Sequence, residues 1–492
     1  MSNADSKPTE STFCQIMKPI YYVSKLTGLW PQSFIQSSPG VTVLDIGYVI
    51  FIYALFGYLI AINMSTKLWD YYMTPFGSEI LRYGLQTHLV NGLCLGVLII
   101  TTNVVQYRRK WEYMSLLDAI TKVVEQEFHV KSPVRVVQLF IAFIIFWENA
   151  YLWLVLSGYY FLIDRTLNIR TSYLYTSYYV MNVSMLALIN EYTYLIVHIR
   201  RLMTIVNRLL KQLLLNDAES ELILLDKGRK TKTPTIAYDE IFTIYGQIGK
   251  DFVNGGIQTK PNKATKTFVV PPASAGFNKL SATTVYNTFV TQLKIDSESS
   301  MDSILKSLNR LSVLHYHLCD AIRLVNRISS LPMMLQFGAM FVFLVFGLFT
   351  IYKAFNSGTW AFKIMAVANA SWIAFYLVGI LTVITATSAA TTAGRATGDI
   401  IHQIIRKHQN HFTSDVIERL STMSLQIKMR EMSFSCGLFQ FDWQLFSSIL
   451  SACAMYLVFL IQFDVTPPLG LSSGNLTLPS IEILNIPTGD GE

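Results

Sequence analysis

The chain has 492 residues, of which 52% are hydrophobic and 14% charged, with a formal net charge of +7. A soluble domain carries roughly 25% charged residues, so this composition excludes an ordinary one and points to a chain that crosses a membrane several times. The basic residues are spread through loops beside apolar spans, where a membrane surface accounts for them better than nucleic acid, and the five cysteines, Cys14, Cys94, Cys319, Cys436 and Cys453, form no CxxC pair, disulfide framework or zinc site.

Residues 1–42, with Lys7, Lys18 and Lys25, are polar to mixed, lack the apolar core of a cleaved signal peptide, and read as a cytoplasmic N-terminal segment. Four apolar spans follow within 43–199, at about Val43–Asn63, Tyr83–Gln106, Val136–Ile163 and Tyr173–Ile199. The chain leaves the bilayer over 200–331. It returns for two spans within 332–390, Pro332–Tyr352 and Phe362–Ala390, leaves again over 391–441, and crosses a last time at 442–464 before a tail of 465–492. Seven spans put the termini on opposite sides. With the N-terminus inside, 33 of the 39 Lys and Arg residues are cytoplasmic, as the positive-inside rule requires. The fold class is therefore an all-α membrane protein of seven transmembrane helices, N-terminus cytoplasmic and C-terminus extracellular. Of four N-x-S/T sequons, Asn182 and Asn369 lie within spans and Asn63 at a boundary, which leaves Asn475 in the external tail as the glycan site.

The cytoplasmic stretches have helical character at their ends. Ile304, Leu308, Leu311, His315, Leu318, Ile322 and Val325 recur in steps of four and three and should run straight into the fifth span. Leu202, Ile205, Leu209 and Leu213 extend the fourth span inward in the same way, and Asp399–Lys428 reads as helical. Between the extensions, 226–300 has no sustained periodicity and reads as a flexible insert. In the last span, 21 residues between Asp442 and Asp464 carry no charge, yet Gln444, Ser448, Ser451, Met455 and Gln462 fall on one line of the helix. Leu445, Ile449, Leu450, Leu457 and Leu460 lie away from it. A polar stripe must be hidden from lipid, against other helices or a column of water. Helix packing is the simpler reading for Ser447, Ser448 and Ala452.

An enzyme reading finds no Gly-rich phosphate loop, HExxH or GxSxG, and no cofactor or metal is expected. His315 and His317 point to different helix faces, and His315 on the seam reads as a packed core histidine. Glu148, an acid deep in the third span, is a functional candidate, with pairing to a neighbouring Asn or Tyr as the structural alternative. The outer halves of the spans hold Trp153, Tyr159 and Tyr160 in the third, and Tyr173, Tyr175, Tyr178, Tyr179 and Asn182 in the fourth. The sixth adds Asn369, Trp372 and Tyr376, and the second His88 and Asn91. Aromatic faces beside amides and hydroxyls suit a sugar, whose C–H face stacks on a ring while its hydroxyls need paired donors and acceptors. For Tyr173 and Tyr175, nearest the boundary, an interfacial aromatic belt is the better reading. Asn182, Asn369, Trp372 and Tyr376 sit deeper and favour a pocket.

Three blocks carry a family resemblance. Tyr456–Phe463 resembles the C-terminal signature of insect gustatory receptors, with Met455 where the family has Thr; Phe434–Phe439 and Leu314–Asp320 are similar to further family blocks, in the expected order. Ile20–Leu26 resembles the opening of the fructose-sensing subgroup. The resemblance implies a taste receptor in the plasma membrane of chemosensory neurons, acting as a ligand-gated, non-selective cation channel. It implies four subunits, as a homotetramer or a heteromer with related receptors, each contributing its seventh span to a central pore in lipid. Gln462 and Phe463 match the family's constriction, and Phe459, Val458, Met455 and Ser451 share that helix with them. Asp464, repeated at the outer mouth, would concentrate permeating cations. The sequence leaves the ligand open between a sugar, fructose by the subgroup resemblance, and bitter compounds. A G-protein-coupled receptor also has seven spans but needs its N-terminus outside, against the charge distribution, and a transporter would show internal repeats and interrupted spans.

Overall fold

A computed structural model describes residues 11–30, 42–64, 79–127, 133–163, 169–223, 300–357, 360–408, 412–430 and 432–465. These form ten helices: α1 Thr12–Leu26, α2 Val43–Asn63, α3 Glu79–Val105, α4 Tyr107–Glu127, α5 Val134–Ile163, α6 Ile169–Ile223, α7 Ser300–Ser357, α8 Trp360–His408, α9 Ser414–Met429 and α10 Trp443–Val465. Among the described residues the fold is all-helical, and seven of the helices are long and apolar enough to cross a membrane. Nearly all of the 226–300 insert, the tail and Asn475 lie outside the described residues, as do the side chains of Tyr159, Tyr160 and Tyr173.

Composition alone does not reveal α1. Ser11 caps it by accepting from the Cys14 amide at 3.2 Å, and Phe13, Ile16, Met17, Ile20 and Ser24 form one buried face against α4, α5 and α6. Gly28, at φ +79°, ends the turn in a conformation that favours glycine. The amides of Leu29 and Trp30 then donate to the Ser24 carbonyl at 2.8 and 3.1 Å, which turns both side chains into the core.

That turn meets a buried charge. Lys110 lies on α4 and pairs with Glu191 of α6 at 2.7 Å, both side chains under 10% exposed. Its ammonium also stands 4.4 Å above the Trp30 ring, and the Ser24 hydroxyl donates to Glu191 at 3.4 Å. Burial pushes the Lys110 ammonium below its usual range and the Glu191 charge pulls it back. Three segments distant in sequence are thereby locked at one point.

Helices α6, α7 and α8 are 55, 58 and 49 residues long. At about 1.5 Å per residue they reach well beyond a bilayer of about 30 Å. From Leu308 on, the seam of α7 is as the periodicity predicts, with Leu308, Leu311, His315, Leu318, Ile322 and Val325 buried and the helix continuous through Pro332 into the fifth span; the side chain of Ile304 lies outside the described residues. His315 lies 3.6 Å from Cys319 Sγ within that seam. α8 differs from expectation. Rather than ending near Ala390 with a separate helix over Asp399–Lys428, it runs unbroken to His408, and α9 starts at Ser414. The small residues around 389–398 serve close packing instead of breaking the helix: a Cβ on Gly394 would lie 2.1 Å from Met432 Sδ.

Between α9 and α10 the chain forms a tight hairpin. Ser435 and Gln440 bridge, Cys436 N donates to Phe439 O at 3.1 Å, Phe441 N donates to Phe434 O at 2.9 Å, and Gly437 adopts φ +87°. Asp442 then caps α10 by accepting from the Leu445 amide at 2.9 Å.

Candidate ligand site and pore helix

The outer halves of four helices converge on one aromatic and amide cluster. Tyr178 and Asn182 are one turn apart on α6, and Asn369, Trp372 and Tyr376 are spaced three and four apart on α8, so each set shares a face. Asn182, Asn369, Trp372 and Tyr376 are all buried, Asn182 with no exposed surface. The Tyr376 hydroxyl donates to Asn182 Oδ1, while Asn182 Nδ2 donates to the Tyr178 carbonyl at 2.8 Å. Trp372 lies 6.4 Å from Tyr178 and 6.2 Å from Tyr376. Phe343 of α7 closes the group, 4.6 Å from Tyr376 and 4.8 Å from His88 of α3. His88 is buried, and its Nε2 has no hydrogen-bond partner among the described residues. An unsatisfied buried nitrogen beside stacked rings and amides is suited to a polar ligand with an apolar face.

Other expected site residues lie elsewhere. Asn91 is exposed on the outside of α3. Trp153 is 62% exposed and stands 5.5 Å from Tyr179, whose hydroxyl donates to Asn149 Oδ1 at 3.2 Å. The Glu148 carboxylate accepts from Asn190 Nδ2 at 2.6 Å. Asn190 is eight residues beyond Asn182, about 12 Å further along α6, so Glu148 makes a structural pairing outside the cluster. Sequence reasoning missed Phe343, which sits in an unbroken apolar run. It also missed Tyr151, which donates to the Ser371 carbonyl at 2.8 Å and stacks on Phe375 at 5.6 Å, joining α5 to the same stretch of α8.

Helix α10 is the least covered span. Only 6% of its apolar window is buried within the chain, against 72% for the span in α6. Ile449 and Cys453 are buried, Leu445, Leu457 and Leu460 rest half-buried against the core, and Leu450 is exposed. Gln444, Ser448, Ser451, Met455 and Gln462 are all exposed, as are Val458, Phe459 and Phe463. Ser447, read as a packing position, is exposed too. Among the described residues of one chain, the polar stripe therefore has no cover. At the outer end Asp464 forms an ion pair with Lys353, the last basic residue of α7.

Comparison with known proteins places this architecture. A family model described as 7tm Chemosensory receptor matches residues 17–250 and 283–467. Two curated Drosophila melanogaster proteins match in part. Gustatory receptor 28b is 23% identical over 161 residues, 32% of this chain and 34% of that one; gustatory receptor 28a is 27% identical over 184 residues, 35% and 38%. The chain thus spans little more than a third of the length of the curated relatives it matches. Among solved structures, the insect olfactory receptor OR5 from Machilis hrabei superposes with a TM-score of 0.53 at 8% identity, covering 91% of this chain and 97% of that one. This likeness shows a shared fold. With most of its length matched by the family model, the chain belongs to the 7tm chemosensory receptor family.

Proposed function

We propose that the protein is a gustatory receptor acting as a ligand-gated, non-selective cation channel, in which four copies surround a pore lined by α10 and a sugar, fructose, opens it. The observation that carries this reading is the polar face of α10, open along its whole length among the described residues of one chain. Hydrocarbon does not tolerate such a face. Four copies arranged with their stripes inward cover it and enclose water, with Gln462 and Phe463 as the constriction and Ser451, Met455, Val458 and Phe459 along the wall. Related receptors would replace some copies in a heteromer.

The ligand-binding set is His88, Tyr178, Asn182, Asn369, Trp372 and Tyr376. Aromatic rings for the C–H face of a sugar and amides for its hydroxyls support the ligand class; fructose rests on the resemblance at Ile20–Leu26. The mechanism is linkage: a sugar that fits the open-state cluster better shifts the closed–open equilibrium by its differential affinity and no more. In this reading the receptor stands in the plasma membrane of chemosensory neurons, with Asn475 glycosylated outside.

Asp464 enters as the outer-mouth anion, its field reduced by Lys353. Lys353→Gln, which leaves the carboxylate uncompensated, is expected to raise inward single-channel conductance at low ionic strength, and Asp464→Asn to lower it. Unchanged conductance in both variants removes Asp464 from the ion path. The reading as a whole is tested by expressing the chain alone in cells without related receptors and recording whole-cell current. Fructose should evoke a cation current, with glucose, sucrose and a bitter panel as comparisons. Silence to all of them, with the protein at the surface, removes the self-sufficient sugar-gated channel.

A further inference from the structure

The hairpin before α10 touches each long helix that builds the outer cluster. Tyr192 of α6 lies 5.7 Å from Phe441, and Phe337 of α7 lies 6.3 Å from Phe439 and 5.1 Å from Phe441. Two side chains grip its backbone. Asn326 of α7 acts like a one-residue strand: its Nδ2 donates to the Ser433 carbonyl at 2.7 Å, and its Oδ1 accepts from the Ser435 amide at 3.3 Å. Thr387 of α8 reaches the other end, its hydroxyl donating at 2.6 Å to the carbonyl of Phe441, the residue just before the Asp442 cap of α10.

The placement of Thr387 ties this grip to the ligand cluster. It follows Tyr376 by eleven residues of one unbroken helix. At about 100° and 1.5 Å per residue the two lie on nearly the same face, about 16 Å apart. Tyr376, Ile380, Val383 and Thr387 are all buried along that face. The hydroxyl has one proton and three acceptors in reach, Phe441 O and, on its own helix, Val383 O at 3.0 Å and Ile384 O at 2.9 Å. When the hairpin moves away, that proton can return to the helix, so no buried donor is orphaned. A tie of this kind can be released and remade cheaply.

Resting on the channel reading above, we propose that this hairpin is the joint through which the outer cluster sets the position of α10, with Thr387 as its positioning residue and Asn326 as its fixed clamp. Thr387→Val keeps the shape and removes the hydroxyl. Because a net hydrogen bond corresponds to about fivefold in an equilibrium constant, the variant is expected to change ligand-free open probability by about fivefold per subunit. The half-maximal fructose concentration should move in the opposite direction, while surface density and single-channel conductance stay native. Thr387→Ser, which keeps the hydroxyl, should behave as native. Native open probability in Thr387→Val, or a Ser variant as perturbed as Val, overturns the proposal. A second measurement does not need current: in purified full-length protein, amide exchange at Cys436 and Phe441 should be faster in Thr387→Val than in Thr387→Ser. Equal exchange also overturns the joint. If the native chain carries no current at all, the channel reading fails, and the exchange result still decides whether Thr387 holds the hairpin.

Discussion

Trp372→Ala is expected to raise the half-maximal fructose concentration by about a hundredfold or abolish the response, because it removes the ring around which the outer cluster is organised. Trp372 lies within 6.4 Å of Tyr178, Phe343, Phe375 and Tyr376, ring centre to ring centre, and is buried. Truncating a buried Trp to Ala costs about 3–5 kcal/mol in lost transfer energy and residual cavity, and here the cavity would open inside the proposed ligand cluster. Surface biotinylation separates loss of binding from loss of folding. Trp372→Phe, which keeps an aromatic face, should retain a weakened response, and Tyr376→Phe should retain the stack while leaving Asn182 Oδ1 without its donor, a smaller penalty of about 1–3 kcal/mol. A Trp372→Ala receptor at native surface density with a native fructose response would place the ligand elsewhere.

The second large effect falls far from the ligand. Lys110→Met leaves Glu191 buried without its partner, and removing one member of a buried ion pair typically costs about 3–5 kcal/mol. Lys110 also touches the Trp30 ring, so the turn after α1 loses its anchor at the same time. The expected result is a chain retained inside the cell, seen as loss of surface label and of the mature band. The double variant Lys110→Met/Glu191→Leu removes both charges and should recover surface expression, since replacing such a pair by apolar groups is often neutral or stabilising. Equal retention of the single and double variants would mean that the charge pair is not what locks α1 to α4 and α6.

The fold was largely legible because hydrophobic spans are long signals. Each of the seven lies along one of the long apolar helices, although α8 runs on past the expected end near Ala390 to His408, and the α7 seam extends into the fifth span as its spacing requires. Two local features were not. α1 contains Pro19 and carries Lys18 and Lys25, so composition masks its buried face. The continuation of α8 past Ala390 was not legible either, because Gly394 there admits Met432, a neighbour distant in sequence. The site was legible in part. Asn182, Asn369, Trp372 and Tyr376 share faces that helical spacing alone assigns. Phe343 was hidden in a uniformly apolar run, and Asn91, Trp153 and Glu148 were grouped with the cluster by depth alone. Depth does not fix which way a helix face turns; the partners Asn190 and Tyr179 do. The pairing of Asp464 with Lys353 joins residues 111 positions apart and has no local signature.

Substituted-cysteine accessibility along α10 tests the central claim most directly. Cysteines at Ser451, Met455 and Gln462 are compared with cysteines at Ile449, Leu457 and Leu460, each exposed to a charged, water-soluble thiol reagent while fructose-evoked current is recorded. Irreversible block confined to Ser451, Met455 and Gln462 is the predicted result. Block at Ile449, Leu457 and Leu460 instead, or at none of the six with current intact, would contradict a pore lined by this helix.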